Sequence, residues 1–202
     1  MSKINELIVL IRGAGELASG VAHGLYHCHF KVCLTELERP VAVRREVAFS
    51  EAVYDAEKKV DRAVAKLIKS ASELPAVWKE GKLPLIIDPQ AKIKHTIKPD
   101  ILVDAIMAKE NLGTKITDAA LVIGLGPGFH AGKDVHMVIE TNRGHNLGRV
   151  ILEGEAEPNT GIPGEIAGVS VNRIIRSPGA GRFDAKKNIG DHVLGHEIIA
   201  LV

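Results

Sequence analysis

Aromatic side chains are scarce in this chain, at 3% of 202 residues, so a core has to be assembled from Ala, Val, Ile and Leu. Cysteine is scarcer still. Cys28 and Cys33 form no CxxC pair, which excludes a disulfide framework and predicts two small buried hydrophobes in a reducing cytosol. A charge excess is also lacking: the formal net charge is +1, without the concentrated basic face that nucleic acid or an anionic membrane requires. Apolar runs never exceed strand length, so no signal peptide or spanning segment is expected, and the protein is read as soluble and cytoplasmic. The length suits one large or two small domains.

What is present begins at Leu7-Ile8-Val9-Leu10-Ile11, a run suited to a strand covered on both faces, which feeds into Gly13-Ala14-Gly15-Glu16-Leu17-Ala18-Ser19-Gly20. The order predicts strand, glycine turn and helix. Gly13 would take a positive φ, Gly15 would let a phosphate approach, and Ala18 would let the helix pack close. The helix from Glu16 would aim free N–H groups at an anion, although the Glu16 carboxylate would crowd a pyrophosphate. A second strand, Val32 to Thr35, ends at Glu36, roughly 20 residues past the turn, where a ribose-binding acid belongs. Gly13, Ala14, Gly15, Glu16, Leu17 and Glu36 are therefore candidate cofactor-binding residues. Arg39, Arg44 and Arg45 are candidates for an additional phosphate.

Farther on, Pro40 predicts a helix start, Val47-Ala48-Phe49 a short strand, and Ser50 the cap of a helical turn. Asp55 to Lys69 is amphipathic with mixed charge, and Ser72 to Gly81 has helical spacing. Two apolar runs end on acids, Leu83 to Ile87 before Asp88 and Ile101 to Val103 before Asp104. With Glu36 they would converge on one rim, where ligands sit in open α/β sheets. Asp104 is the stronger candidate, with Lys109 and Asn111 close behind; Asp88-Pro89 also reads as a plain turn.

Near Asn111-Leu112-Gly113 strand-helix alternation gives way to short strands punctuated by glycine, which predicts a domain boundary after residue 112. Residues 124 to 134 invite comparison with a P-loop, but position 127 is proline where glycine belongs and Asp134 replaces the Ser/Thr. Asp134, His136, Glu140, Arg143 and His145 are candidate catalytic residues with Lys109. On a strand, Asp134, His136 and Glu140 would share one face, able to bind a metal or shuttle a proton, and which of these the sequence leaves open. Residues 141 to 146 read as a hairpin connection. The last segment, Ile174 to Phe183, Ile189-Gly190-Asp191-His192-Val193 and Gly195 to Val202, looks like half of a biotinyl/lipoyl-type barrel-sandwich without a carrier lysine. The expected class is α/β: a Rossmann-like parallel sheet domain (1 to 112), then a β-rich domain (113 to 202) with a polar block (124 to 161) and the half barrel-sandwich (174 to 202).

Gly124 to Phe129, Asp134-Val135-His136, Ile139 to Arg149 and Glu157-Pro158-Asn159-Thr160-Gly161, with Gly13 to Gly20, Val103-Asp104-Ala105, Met107-Ala108-Lys109 and Asn111-Leu112-Gly113, resemble the selenium-dependent molybdenum hydroxylase system (YqeB-like) family. The resemblance covers nearly the whole chain. It implies a role beside molybdenum hydroxylases, in maturing their cofactor or inserting selenium; joined to the glycine turn, this gives a nucleotide-binding accessory or maturation protein with a molybdenum hydroxylase as partner and NAD(P) or a molybdopterin nucleotide as ligand. Members of that family continue into a second barrel-sandwich half, so the open edges here predict completion by the first β segment or by another subunit of a homo-oligomer. Two other readings stand beside it: an NAD(P)-dependent oxidoreductase using His136 or Lys109 as general acid/base, and a non-catalytic scaffold.

Overall fold

The computed structural model describes residues 3–162 and 165–202. Two compact units divide at Asn159 and Thr160. The first, residues 1–159, is a mixed α/β unit built on one large, mostly parallel sheet with few helices. Its elements are β1 (Ile8–Arg12), α1 (Glu16–His27), β2 (Lys31–Glu36), α2 (Ala52–Asp55), β3 (Glu57–Val60), β4 (Ala63–Ile68), α3 (Leu74–Lys79), β5 (Leu83–Ile87), α4 (Lys94–Ile97), β6 (Ile101–Asp104), β7 (Leu121–Leu125), β8 (His130–Ala131), β9 (Met137–Ile139), β10 (Val150–Ile151) and β11 (Gly154–Glu155).

Nine strands form the sheet in the order β10-β9-β7-β6-β1-β2-β5-β4-β3. All neighbours from β9 to β4 run parallel, and antiparallel β10 and β3 close the two edges. The central strands are buried on both faces, as their uninterrupted apolar runs require. Along β1, Val9 and Ile11 join one core cluster with Ala18 and Ala22 of α1, while Leu10 joins the other with Leu74 and Val77 of α3. From β1 the chain proceeds to β2 on one side and later to β6 on the other. That reversal opens a crevice at the carboxyl ends of β1 and β6.

Several expectations are corrected. The sheet continues through β7, β9 and β10 past residue 112, because Val122 and Val138 bury side chains against the same core face as Leu10 and Leu102. No helix starts at Pro40. Val47 and Phe49 lie in successive 3-10 turns, and the hydroxyl of buried Ser50 caps nothing. The turns are held instead by Ser19 of α1, whose Oγ accepts the Phe49 N–H at 2.8 Å. Residues 57–68 form the β3/β4 hairpin, with Ala63, Ala65 and Ile68 buried at alternating or edge positions.

The cysteines differ from each other. Cys33 lies fully buried in β2, and burial first, then the charge of Asp88, pushes its thiol up to about 12. Cys28 caps the carboxyl end of α1 and is exposed, contrary to the expectation of two buried thiols. A thiolate is the reacting species, so a maleimide at neutral pH is expected to label one thiol per native chain and two after denaturation. Mass spectrometry showing rapid native labelling of Cys33 would contradict this burial.

In the second unit, residues 160–202, β12 (Asp184–Ala185) pairs antiparallel with β13 (Ala200–Leu201). Ile175 and Leu194 are 78% and 80% exposed. Among the described residues no helix is long and apolar enough to cross a membrane.

Candidate functional site

The glycine turn is closed by backbone contacts. Gly13 adopts φ +95°, and a Cβ there would stand 3.1 Å from the Ala105 carbonyl oxygen, so glycine lets the ends of β1 and β6 approach. Ala14 is pinned from two sides: its carbonyl accepts the Ser50 N–H (2.9 Å) and the Ser19 hydroxyl (3.0 Å). Gly15 is the N-cap of the twelve-residue α1, with φ −67° and open space where a Cβ would be. A cavity of about 370 Å³ lies over this turn, lined by Gly13, Gly15, Glu16 and Glu36, with Leu37, Val41 and Ala42 on one side and Ile106 and Leu112 on the other.

Glu36 stands at the end of β2 beside the turn, where one carboxylate oxygen accepts the Ala14 N–H at 2.8 Å and the other accepts the Leu37 N–H at 2.7 Å. Glu16 points its Oε1 at Arg44, accepting that residue's backbone N–H (3.0 Å) and lying 3.5 Å from its Nε. Burial raises the Glu16 carboxyl, but hydrogen bonds from the backbone of Arg44 and of Glu16 itself, with the Arg44 guanidinium, outweigh it and hold the group below the usual range. Leu17 and Arg39 are exposed outside the cavity lining. Arg45 forms a two-pronged pair with buried Glu51 at 2.9 and 2.6 Å.

Asp104 reaches the same rim but is committed inward. Its Oδ2 accepts from Arg12 Nη1 (3.1 Å) and from the Thr114 hydroxyl (2.6 Å), and the pair is almost completely buried. Arg12 also donates to Thr114 Oγ1 and to the carbonyls of Leu112 (3.1 Å) and Pro89 (3.4 Å). Asp104 therefore anchors the loop that walls the cavity and presents no oxygen to a ligand. Asp88 likewise accepts the Ile93 N–H (2.8 Å), its turn reading. Arg12 was not among the candidates. A charged residue ending a buried strand, immediately before a glycine turn, was the available signal. Met107 and Lys109 hold positive φ (64° and 67°) in the 105–113 loop, conformations that only tertiary contacts impose.

Residues 130–149 do not form the expected one-faced row. The strand is only Met137–Ile139, because Asp134 accepts the His130 N–H (3.0 Å) and tightens the preceding residues into a turn. His136 Nδ1 accepts the Val122 N–H at 2.9 Å, which assigns its ring to strand support. Glu140 is buried, with its two oxygens taking the N–H groups of Asn142 (2.6 Å) and Glu157 (2.7 Å). Arg143 and His145 are exposed in the β9/β10 connection. Lys109 Nζ donates to Asn159 Oδ1 at 2.8 Å. None of these six lines the cavity over the glycine turn.

The fold and site define an α/β protein with a mostly parallel sheet and a cleft at the carboxyl ends of its strands. Over 195 residues the chain is 48% identical to the uncharacterized protein YqeB of Escherichia coli (strain K12). The alignment takes in 96% of this chain and 36% of that relative, so the chain spans about a third of its length. No family model and no solved structure matches.

Proposed function

We propose that this chain is the nucleotide-binding part of an accessory or maturation protein of a selenium-dependent molybdenum hydroxylase system, built on a Rossmann-like unit. One observation carries the nucleotide reading: the cavity at the sheet's strand-order reversal combines an open Gly15 at a helix N-terminus with the Glu36 carboxylate beside it. In the bound state Glu36 releases the Ala14 N–H to a phosphate oxygen and accepts ribose hydroxyls, while the base lies against Leu37, Val41 and Ala42. The Glu16 charge, already drawn toward Arg44, is kept off the phosphate. The volume sits at the small end of ligand pockets, roughly 300–1,000 Å³, and suits one nucleotide moiety of NAD(P) or of a molybdopterin nucleotide. The hydroxylase partnership rests on the family resemblance. The β12/β13 pair belongs, in this reading, to a half barrel-sandwich completed by a second subunit.

Gly15→Asp separates function from folding. Asp is a good N-cap and meets open space, so the melting temperature is expected to hold or rise slightly, while a negative charge enters the phosphate position. Equilibrium dialysis with NAD, NADP, ATP, CTP and molybdopterin nucleotides is expected to find one ligand for the wild type and none for the variant. Absence of wild-type binding at millimolar concentration would end the proposal. Binding with hydroxylase maturation intact in the variant would leave the scaffold reading instead.

A further inference from the structure

The strongest unassigned chemistry lies at the opposite end of α1 from the glycine turn. His23 and His27 are one helical turn apart on α1, so their imidazoles share a face. Asp61 comes from a different element, the turn between β3 and β4, where it holds a positive φ of 51°. Among the described residues, these three offer ligand atoms that all lie within 4.8 Å of one another. His27 Nε2 is 3.2 Å from His23 Nε2, which is 3.3 Å from Asp61 Oδ2.

Hydrogen bonding does not satisfy this arrangement. A ring nitrogen either carries one proton or offers one lone pair. If His23 Nε2 donates to the Asp61 carboxylate, it has no lone pair left for His27; if it accepts from His27, two acceptors are left facing each other. One of the two contacts is always unpaired or shared. A cation resolves this, because all three atoms can then point lone pairs at it. At metal–ligand bonds of about 2.0–2.1 Å, separations of 3.2 and 3.3 Å subtend roughly 100–110° at the ion, close to tetrahedral.

We infer that His23, His27 and Asp61 form a binding site for a divalent transition metal of the zinc type, with two imidazole nitrogens, one carboxylate oxygen and a solvent molecule as ligands. The nitrogen-rich donor set favours Zn²⁺, Co²⁺ or Ni²⁺ over Mg²⁺ and Ca²⁺, which want oxygen. Asp61 and His27 are exposed and His23 is half-buried, so an ion enters from solvent. Bound metal would tie the carboxyl half of α1 to the hairpin that closes one sheet edge, away from the cavity that Glu36 serves. The site does not depend on the nucleotide reading.

The test uses the full chain, chelator-stripped and free of any affinity tag, titrated with ZnCl₂ and separately with CoCl₂. One equivalent of zinc is expected to bind at micromolar or tighter affinity, to raise the melting temperature, and to give tetrahedral cobalt its intense visible absorption. His27→Ala alters an exposed side chain and is expected to abolish the zinc-dependent rise and weaken binding at least about a hundredfold, and Asp61→Asn about tenfold. Circular dichroism checks that both variants fold. No saturable zinc binding to the wild type up to millimolar concentration would overturn the site. So would unchanged affinity and stoichiometry in the folded His27→Ala variant, or binding that is lost only on alkylating Cys28.

Discussion

Asp104→Ala is expected to lower the unfolding free energy by about 3–5 kcal/mol, because it strands the Arg12 guanidinium in a site where both partners are almost fully buried. Among the described residues the carboxylate is the single anion that Arg12 meets; its other acceptors are the Thr114 hydroxyl and the carbonyls of Leu112 and Pro89. Without Asp104 those neutral acceptors would hold the charge alone, and Thr114 would lose the acceptor for its own proton. A urea titration is expected to show a lower midpoint at unchanged slope. Removing the charge as well, in Arg12→Met/Asp104→Leu, is expected to recover part of the loss, since a buried pair exchanged for apolar groups is often close to neutral. Recovery stays partial because the Leu112 and Pro89 carbonyls lose their donor. A single-variant loss below about 1 kcal/mol would show that water reaches this pair, contrary to its burial.

Gly128→Ala is expected to cost about 2–4 kcal/mol, from backbone strain and overpacking acting together. Gly128 has φ +106°, and an added Cβ would lie 2.6 Å from Glu110 N, 2.7 Å from Glu110 Cα and 2.8 Å from the Lys109 carbonyl carbon. These are backbone atoms of the loop that walls the cavity, so relief requires that loop to move. Gly132→Ala serves as the control: it has φ +82° but open space around the added carbon, so it bears conformational strain alone, about 1 kcal/mol. Equal thermal shifts in the two variants would mean that the loop does not press on Gly128.

The same contact explains why residues 124–134 resemble a P-loop in composition without serving as one. Glycine there gives room to neighbouring protein. Gly128 accommodates the 109–110 backbone, and Gly124 accommodates the ring of Phe129, whose Cδ2 would be 2.5 Å from an added Cβ. A count of glycines does not distinguish a loop that admits a ligand from a loop that admits the chain itself. Gly15, extended at φ −67° with open space beside it, and Gly128, at φ +106° against the 109–110 backbone, are told apart by the conformation and neighbours that the tertiary structure gives them.

Local chemistry was enough for β1, α1, β2, β5 and β6, whose apolar runs, helix start at Glu16 and acid at Glu36 could be read in order along the chain. Those signals are short-range: side-chain periodicity and the steric freedom of glycine act within a few residues. Four outcomes needed distant partners. Asp104 turned inward because Arg12, 92 residues earlier, faces it across adjacent strands. The Asp134, His136 and Glu140 row dissolved because the Val122 N–H, 14 residues away, claimed His136 and the Glu157 N–H, 17 residues away, claimed Glu140, while Asp134 turned back to the His130 N–H. The sheet ran past residue 112 because β7 found β6 as its neighbour. And His23 and His27 became a candidate metal site only when the β3/β4 turn carried Asp61 to them, since spacing along a helix supplies two ligands and pairing between elements supplies the third.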